Sequence, residues 1–116
     1  MADTLKNTMV RSNGTSVVNL TTVADNSTTF QTILSISLCN DGSTARTFDL
    51  VIKDPNNNHG LGADTLFFIY QDQSLPGGAT FIHSDKIMLQ QDEELYITAS
   101  AGTDIDIITS YLEQTA

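Results

Sequence analysis

Two short stretches of the sequence contain residue types that could do chemistry, and the first is His83-Ser84-Asp85. These are the residue types of a hydrolytic triad, but a triad needs side chains that converge in space from separate elements. Neighbouring residues of a strand point to opposite faces of the sheet, so adjacent positions cannot supply that geometry. The sequence also contains no Gly-x-Ser-x-Gly nucleophile motif. We therefore do not interpret this stretch as a catalytic site, and we expect that the protein is not an enzyme.

The second stretch is Asp54-x-Asn56-x-Asn58, which places side-chain oxygens at alternate positions, as in a calcium-binding loop. An EF-hand loop also needs glycine at its sixth position and a bidentate glutamate at its twelfth. Those positions hold His59 and Thr65 here. Asp54, Asn56 and Asn58 are weak metal candidates, because Asx-rich turns are commonly only turns. His59 is interpreted as a solvated loop residue, and no cofactor is predicted.

Composition and charge exclude several classes of function. The chain carries 14 acidic and 5 basic residues, a formal net charge of −9, which repels the phosphate backbone of nucleic acids. The longest apolar run, 66–70, is far shorter than the roughly 20 residues that span a bilayer. The N-terminus has no apolar signal core, so secretion through the Sec pathway is not expected. The single Cys39 excludes an internal disulfide and is interpreted as a small buried hydrophobe.

The elements that must position these residues are strands, because alternation at period two recurs along the chain and helical periodicity is hard to find. Strands are predicted at 16–22, 30–39, 47–53, 66–71, 80–83, 86–89, 94–101 and 104–113. About seven to nine short strands separated by turn signals are typical of an all-β, antiparallel β-sandwich, of the jelly-roll or immunoglobulin-like kind. At 116 residues the chain is long enough for one such domain. We expect residues 1–15 to form an N-terminal arm or first edge strand, and residues 16–116 a single sandwich domain.

Alternation also predicts the core and two connections. The core is predicted from residues that share one strand face: Leu34, Ile36, Leu38, Phe48, Leu50, Ile52, Leu95 and Ile97. Turn-forming residues at 40–43 indicate that strands 30–39 and 47–53 form a hairpin. Leu75-Pro76-Gly77-Gly78 predicts a type II turn with a positive φ at Gly77.

Two segments suggest contacts with other molecules. The arm combines apolar residues with two of the five basic ones, which predicts partner-binding residues at Leu5, Lys6, Met9, Val10 and Arg11. Alternatively, the arm pairs as an extra edge strand on its own sandwich. The run 66–70 is apolar on both faces in a small domain, which favours a homo-oligomer, with a trimer as the first choice.

The C-terminal half resembles a known family. Its motifs occur in order at 74–83 (SLPGGATFIH), 85–90 (DKIMLQ), 92–101 (DEELYITASA) and 110–114 (SYLEQ), and 34–48 fits an earlier part of the same pattern. This series of turn and core motifs is similar to small virion structural proteins of tailed bacteriophages that infect cyanobacteria and marine bacteria. The resemblance covers roughly residues 30–114 and departs from the family in the long loop DPNNNHGLGAD, at 54–64.

The resemblance implies a capsid decoration (cement) protein, which binds and stabilises the shell of the major capsid protein. It implies a place on the outer surface of the capsid in the virion and synthesis in the cytoplasm of the host bacterium. No membrane or nucleic-acid partner is expected, because of the charge and the short apolar runs described above. A neck, tail or fibre component of the virion is the first alternative. A cell-surface or carbohydrate-binding module is the second, although the chain has no tryptophan and only three tyrosines for stacking on sugars.

Overall fold

The computed structural model describes residues 2–115, and within this range the chain forms strands and no helix. The strands are β1 (Ala2–Arg11), β2 (Val18–Thr22), β3 (Thr29–Asn40), β4 (Arg46–Asp54), β5 (Thr65–Leu75), β6 (Thr80–His83), β7 (Ile87–Leu89), β8 (Glu94–Ala99) and β9 (Ile105–Thr115). The predicted strands are present, and their ends shift by only a few residues.

Two antiparallel sheets pack face to face, so the predicted all-β sandwich is confirmed. Sheet A has the order β1-β9-β3-β6, with β7 pairing beside β6 on β3, and sheet B has the order β2-β8-β4-β5. The pairs β4·β5, β3·β6/β7, β2·β8 and β1·β9 form one long antiparallel ribbon whose tip is the β4–β5 loop. Successive pairs of this ribbon alternate between the two sheets, which is the arrangement of a jelly roll.

The core lies between the sheets and follows the alternation of the strands. Its buried members are Leu20, Val23, Ile33, Ile36, Leu38, Phe48, Leu50, Leu75, Leu89, Leu95, Ile97, Ala99, Ile105, Ile107 and Tyr111. Ile52 is partly buried and packs against this cluster. The prediction for Leu34 was wrong: the pairing of β3 with β9 shifts between Ile33 and Ser35. This bulge resets the alternation, so that Ile33 points inward and Leu34 is only half-buried.

The predicted hairpin of 30–39 with 47–53 was also wrong, because β3 lies in sheet A and β4 in sheet B. The connection at 41–45 crosses between the sheets and is fixed by Asn40, whose side-chain Nδ2 donates to the carbonyl oxygens of Thr44 (2.8 Å) and Leu75 (3.1 Å). Alternation fixes which face of a strand is buried, but it does not identify the strand's partner.

The turn after β5 is shifted by one residue from its prediction. The N–H of Ala79 donates to the carbonyl oxygen of Pro76 (3.0 Å), and the positive φ of 75° falls on Gly78. Gly77 is needed for space instead: a Cβ there would lie 2.7 Å from the Ser43 backbone.

Candidate functional site

The β4–β5 loop folds back over the end of the sandwich and is held there by Asp54. The Asp54 carboxylate is buried at the end of β4 and accepts the backbone N–H groups of Asn58 (3.1 Å) and His59 (3.3 Å). The N–H of Asp64 donates to the Asp54 carbonyl oxygen (2.9 Å), which closes the loop. Asp54 therefore shapes the loop through its backbone, as short acidic side chains do in turns.

The two asparagines of the calcium-like pattern are engaged differently. The Nδ2 of Asn56 donates to the Oδ1 of Asn58 (3.1 Å), and the Nδ2 of Asn58 donates to the Gln91 carbonyl oxygen (2.7 Å). The Asn58 amide thus ties the loop to the β7–β8 turn. The structure brings Asp54 together with His59 and Glu93.

His59 and Glu93 form the central contact of this end of the sandwich. Nε2 of His59 lies 2.6 Å from Oε2 of Glu93, whose other oxygen accepts the N–H of Gln90 (2.7 Å). The imidazole also packs edge-on against Phe67, with ring centroids 5.7 Å apart. His59 is therefore exposed on the loop, as the sequence indicated, but its ring is also held by Glu93 and Phe67. Glu93 lies 34 positions away, and only the ribbon topology, which lays the β4–β5 loop beside the β7–β8 turn, could have identified it.

The three side chains form a cluster with ligand-type atoms on separate loops. One ligating atom each from Asp54, His59 and Glu93 lie within 4.8 Å of one another, and both carboxylates are buried. Within residues 2–115, no lysine or arginine forms an ion pair with either carboxylate; the neighbouring Lys53 lies 3.7 Å from Asp64 instead. The cluster therefore combines two buried acids with a single imidazole.

A second feature is the outer face of sheet A, here called the A face, which carries two rows of apolar side chains. One row runs across the strands as Met9, Ile108, Ser37 and Ile82. The other runs as Leu5, Leu112, Thr32 and Met88. Leu5 is 72% exposed and Met9 69% exposed, and Ile82, Met88 and Ile108 are exposed as well. In these two rows the apolar side chains are interrupted only by the hydroxyls of Ser37 and Thr32, and the row between them is polar, with Asn7, Ser110 and Ser35.

The structure places the five predicted partner-binding residues in three environments. Leu5 and Met9 lie on the A face, and Val10 packs against the core. Lys6 bonds to Glu113 (2.7 Å), and Nε of Arg11 bonds to Asp106 (2.6 Å), so both cations are paired with acids of β9. The whole segment is the edge strand β1, paired with β9 from Ala2 to Arg11.

These ion pairs shift the pKa values of the side chains that form them. The hydrogen bond to Glu113 raises the pKa of Lys6, and the same bond lowers the pKa of Glu113. Arg11 likewise lowers the pKa of Asp106, and a hydrogen bond to Asp106 raises the pKa of Asp41. These charges therefore compensate one another within the chain, with Arg11 and Asp106 at the end of the A face and Lys6 and Glu113 on the opposite side of the same two strands.

A third feature is the outer face of sheet B, here called the B face. Phe68, Val51 and Tyr96 lie side by side on three neighbouring strands. Phe68 is 47% exposed, whereas Tyr96 is covered, and this burial raises the pKa of its hydroxyl. Leu66 and Lys53 lie in the next row and line an open groove of about 480 Å³. The face mixes apolar side chains with charges of both signs.

The other two residues considered from the sequence, His83 and Cys39, lie within the sandwich. His83 is buried and hydrogen-bonds through Nδ1 to the Tyr70 hydroxyl (2.8 Å), within a group of aromatic rings that includes Phe81. Cys39 is half-buried on β3. In the described part of the chain, no helix has the length and apolar character required to cross a membrane.

Solved structures with a similar fold come from virus particles and from a surface appendage. The chain is similar to a protein of the infectious bursal disease virus VP2 subviral particle (10% identity, TM-score 0.54), covering 96% of this chain and 32% of that one. It is similar to a chain of the acid-stable capsid of Helicobacter pylori bacteriophage KHP30 (10% identity, TM-score 0.52, 98% of this chain and 88% of that one). It is also similar to a subunit of Bacillus endospore appendages, described as disulfide-linked pili (8% identity, TM-score 0.53, 98% and 87%).

No protein-family model matches the sequence, and no curated protein matches it either. The chain spans only about a third of the bursal disease virus chain that it matches. At these identities the likeness shows the fold alone. That fold is a jelly-roll sandwich that also occurs in proteins of viral capsids and of a bacterial appendage.

Proposed function

We propose that this chain is a non-enzymatic structural protein of a bacteriophage virion, and that it decorates the outer surface of the capsid. In this role it binds the shell of the major capsid protein after synthesis in the cytoplasm of the host bacterium. The proposal combines the family resemblance with a fold that also occurs in viral capsid chains. The observation that carries it is the A face, because decoration of a shell requires a surface that binds another protein.

Charge is the reason to choose the A face over the rest of the surface. The chain has a net charge of −9, so most of its surface repels any acidic partner. The two cross-strand rows of the A face carry no charged residue, Arg11 at the end of the face is paired with Asp106, and Lys6 lies on the opposite face of β1, paired with Glu113. An apolar, uncharged patch of the shell protein is the matching occupant, since it would bury these side chains without desolvating an unpaired charge.

The size of the A face also fits a specific interface. Three strands of about ten residues (β1, β9 and β3), with the short β6 and β7 following one another along the free edge of β3, give roughly 600 Å² at about 4.8 Å between strands and 3.3 Å per residue. A standard protein interface buries about 800 Å² on each partner, so the A face with its margin is of the right order. Exposed apolar patches of a few hundred Å² are typical of interaction sites.

The experiment measures binding of the purified protein to particles from which it has been stripped. The double variant Leu5→Asp/Met9→Asp places two charges on the A face, and we expect at least tenfold weaker binding than wild type. Leu61→Asp is the matched control, because Leu61 is as exposed (68%) but lies in the β4–β5 loop. Wild-type binding by the double variant would exclude the A face as the docking surface.

Mass spectrometry and cryo-EM of purified virions test the wider assignment separately. Absence of the protein from virions would contradict the virion role, whatever the variants do. Density for the protein on the neck, tail or fibre would show that it is a component of that structure and not a capsid decoration protein.

A further inference from the structure

We infer that Asp54, His59 and Glu93 form a binding site for a divalent transition-metal cation of the zinc type. Zinc is bound in proteins by imidazole nitrogen and carboxylate oxygen, and three protein ligands with one open position are a common arrangement. The three residues supply one nitrogen and two carboxylates from the end of β4, the β4–β5 loop and the β7–β8 turn. A water molecule would complete the coordination.

The distances within the cluster suit such a cation after a small rearrangement. Zinc ligands lie about 2.0–2.2 Å from the metal, which places them roughly 3.3 Å from one another in a tetrahedron. The ligating atoms of the cluster all lie within 4.8 Å of one another. The contact of 2.6 Å between Nε2 of His59 and Oε2 of Glu93 would open by side-chain rotation, with loss of the proton between them, and the metal would replace that hydrogen bond.

The charge balance of the cluster points independently to a cation. Asp54 is 1% exposed and Glu93 is 2% exposed, so both carboxylates have lost most of their hydration. Burying a charge is costly unless an opposite charge or a metal compensates it, and two like charges at short distance add to that cost. Within residues 2–115 no lysine or arginine pairs with either acid, and the ion-pair contact of the cluster is that of His59 with Glu93, which leaves Asp54 without a cation. A divalent cation would neutralise both.

The surroundings hold the ligands in place and leave a path for entry. Backbone N–H groups of Asn58, His59 and Gln90 orient the two carboxylates, and Nδ2 of Asn58 also donates to Oε2 of Glu93 (3.4 Å). Each Asp54 oxygen keeps a lone pair for a metal, and Oε2 of Glu93 regains one when the His59 ring moves away. His59 and Glu93 line an open cleft of about 320 Å³ between the sheets. His59 has 43% of its side chain exposed, so the ion can reach it from solvent.

The donor set favours a transition metal over calcium. Calcium takes six to eight oxygen ligands, whereas this cluster offers an imidazole and two carboxylates. The amide oxygen of Asn58, which a calcium loop would use, accepts the Nδ2 of Asn56. Magnesium, which keeps a shell of water and avoids nitrogen ligands, is disfavoured for the same reason.

Isothermal titration with zinc chloride, in buffer with about 0.15 M salt to screen diffuse binding to the acidic surface, tests the inference. Wild type is expected to bind one zinc ion per chain and to melt at a higher temperature with zinc than without it. His59→Gln, which keeps a polar group of similar length beside Glu93, should bind at least tenfold more weakly. Asp64→Asn is the matched control, since Asp64 is an acid of the same loop outside the cluster; it should bind as wild type does.

Calcium chloride and magnesium chloride should each bind at least tenfold more weakly than zinc. In wild type, zinc should shift the ring signals of His59 and not those of the buried His83 in nuclear magnetic resonance, a readout that requires no variant. The inference is overturned if wild type does not bind zinc, if His59→Gln binds it equally well, or if Asp64→Asn loses as much affinity. Unchanged His59 signals at saturating zinc would have the same consequence.

Discussion

At the scale of single residues, buried polar side chains fix the loops at both ends of the sandwich. The side chain at one end is a neutral amide, whereas those at the other end are carboxylates. Asn40 is fully buried at one end, and its amide serves Thr44, Leu75 and the N–H of Gly42. This neutral side chain has partners on both its nitrogen and its oxygen, so it fixes the crossover between the sheets at little electrostatic cost. Asp54 and Glu93 at the other end make comparable bonds to backbone N–H groups, yet they also bury negative charge. Among the described residues, these two buried carboxylates and His59 make the second end the candidate for binding a cation.

The bulge in β3 gives a residue-scale prediction with an internal control. Leu50→Ala should lower the free energy of unfolding by about 2–5 kcal/mol, because Leu50 is completely buried and its removal leaves a cavity. Leu34→Ala removes the same atoms from a half-buried position beside the bulge and should cost less than about 1.5 kcal/mol. Urea denaturation of both variants measures the difference. Equal losses would mean that Leu34 contributes to the core after all.

At the scale of elements, the sequence predicted where strands lie better than which strands pair. Period-two alternation marked nearly every strand, because one face of each meets the core. Pairing depends on how the ribbon folds over itself, which local patterns do not record, and for this reason the predicted β3–β4 hairpin is two strands on opposite sheets. The same limit applies to the candidate site: Asp54 could be identified locally, but Glu93 reaches it only through the topology.

The ion pair that joins β1 to β9 predicts a pH dependence of stability. Lys6 lowers the pKa of Glu113 in the folded state, so this pair stabilises the protein above the carboxyl group's unfolded pKa, near 4.3. The contribution is lost as the pH falls through the lower folded pKa. Glu113→Gln should therefore be less stable than wild type near neutral pH, and the gap should narrow below about pH 4.

Urea denaturation between pH 3 and pH 8 measures the difference in unfolding free energy between wild type and Glu113→Gln. The control is the same substitution in a Lys6→Met variant, which lacks the ammonium group of the pair. In Lys6→Met, the step to Glu113→Gln removes no ion pair, so its cost should be smaller near neutral pH and should vary less with pH. A gap that stays constant down to pH 3 in the wild-type background would contradict the assignment.

At the scale of the whole molecule, charge and apolar surface are separated in a way that suits assembly. The net charge of −9 keeps free copies apart in solution, while the A face and the B face expose the apolar side chains that a contact needs. The A face has been proposed above as the surface that meets the shell. The B face lies on the opposite side of the sandwich, so a copy docked through one face leaves the other free. It also holds Lys53 between Glu94 and Leu66, one row away from Phe68, and such a mixture of both charge signs can be complementary to a second copy of the chain.

Self-association through the B face, for which we propose a trimer as the closed form, should therefore increase with salt. Screening reduces the repulsion between copies of charge −9, with a Debye length of about 8 Å at 0.15 M ionic strength and about 3 Å at 1 M. Light scattering should give a mass near the monomer value of 12.6 kDa at low salt and a larger mass at high salt and high protein concentration. Phe68→Glu should abolish the increase, because it places a charge in the apolar row, whereas Leu61→Glu, a matched change in the β4–β5 loop, should not. A mass that stays monomeric at every salt concentration, or an increase that survives Phe68→Glu, would show that the B face does not join copies of this chain.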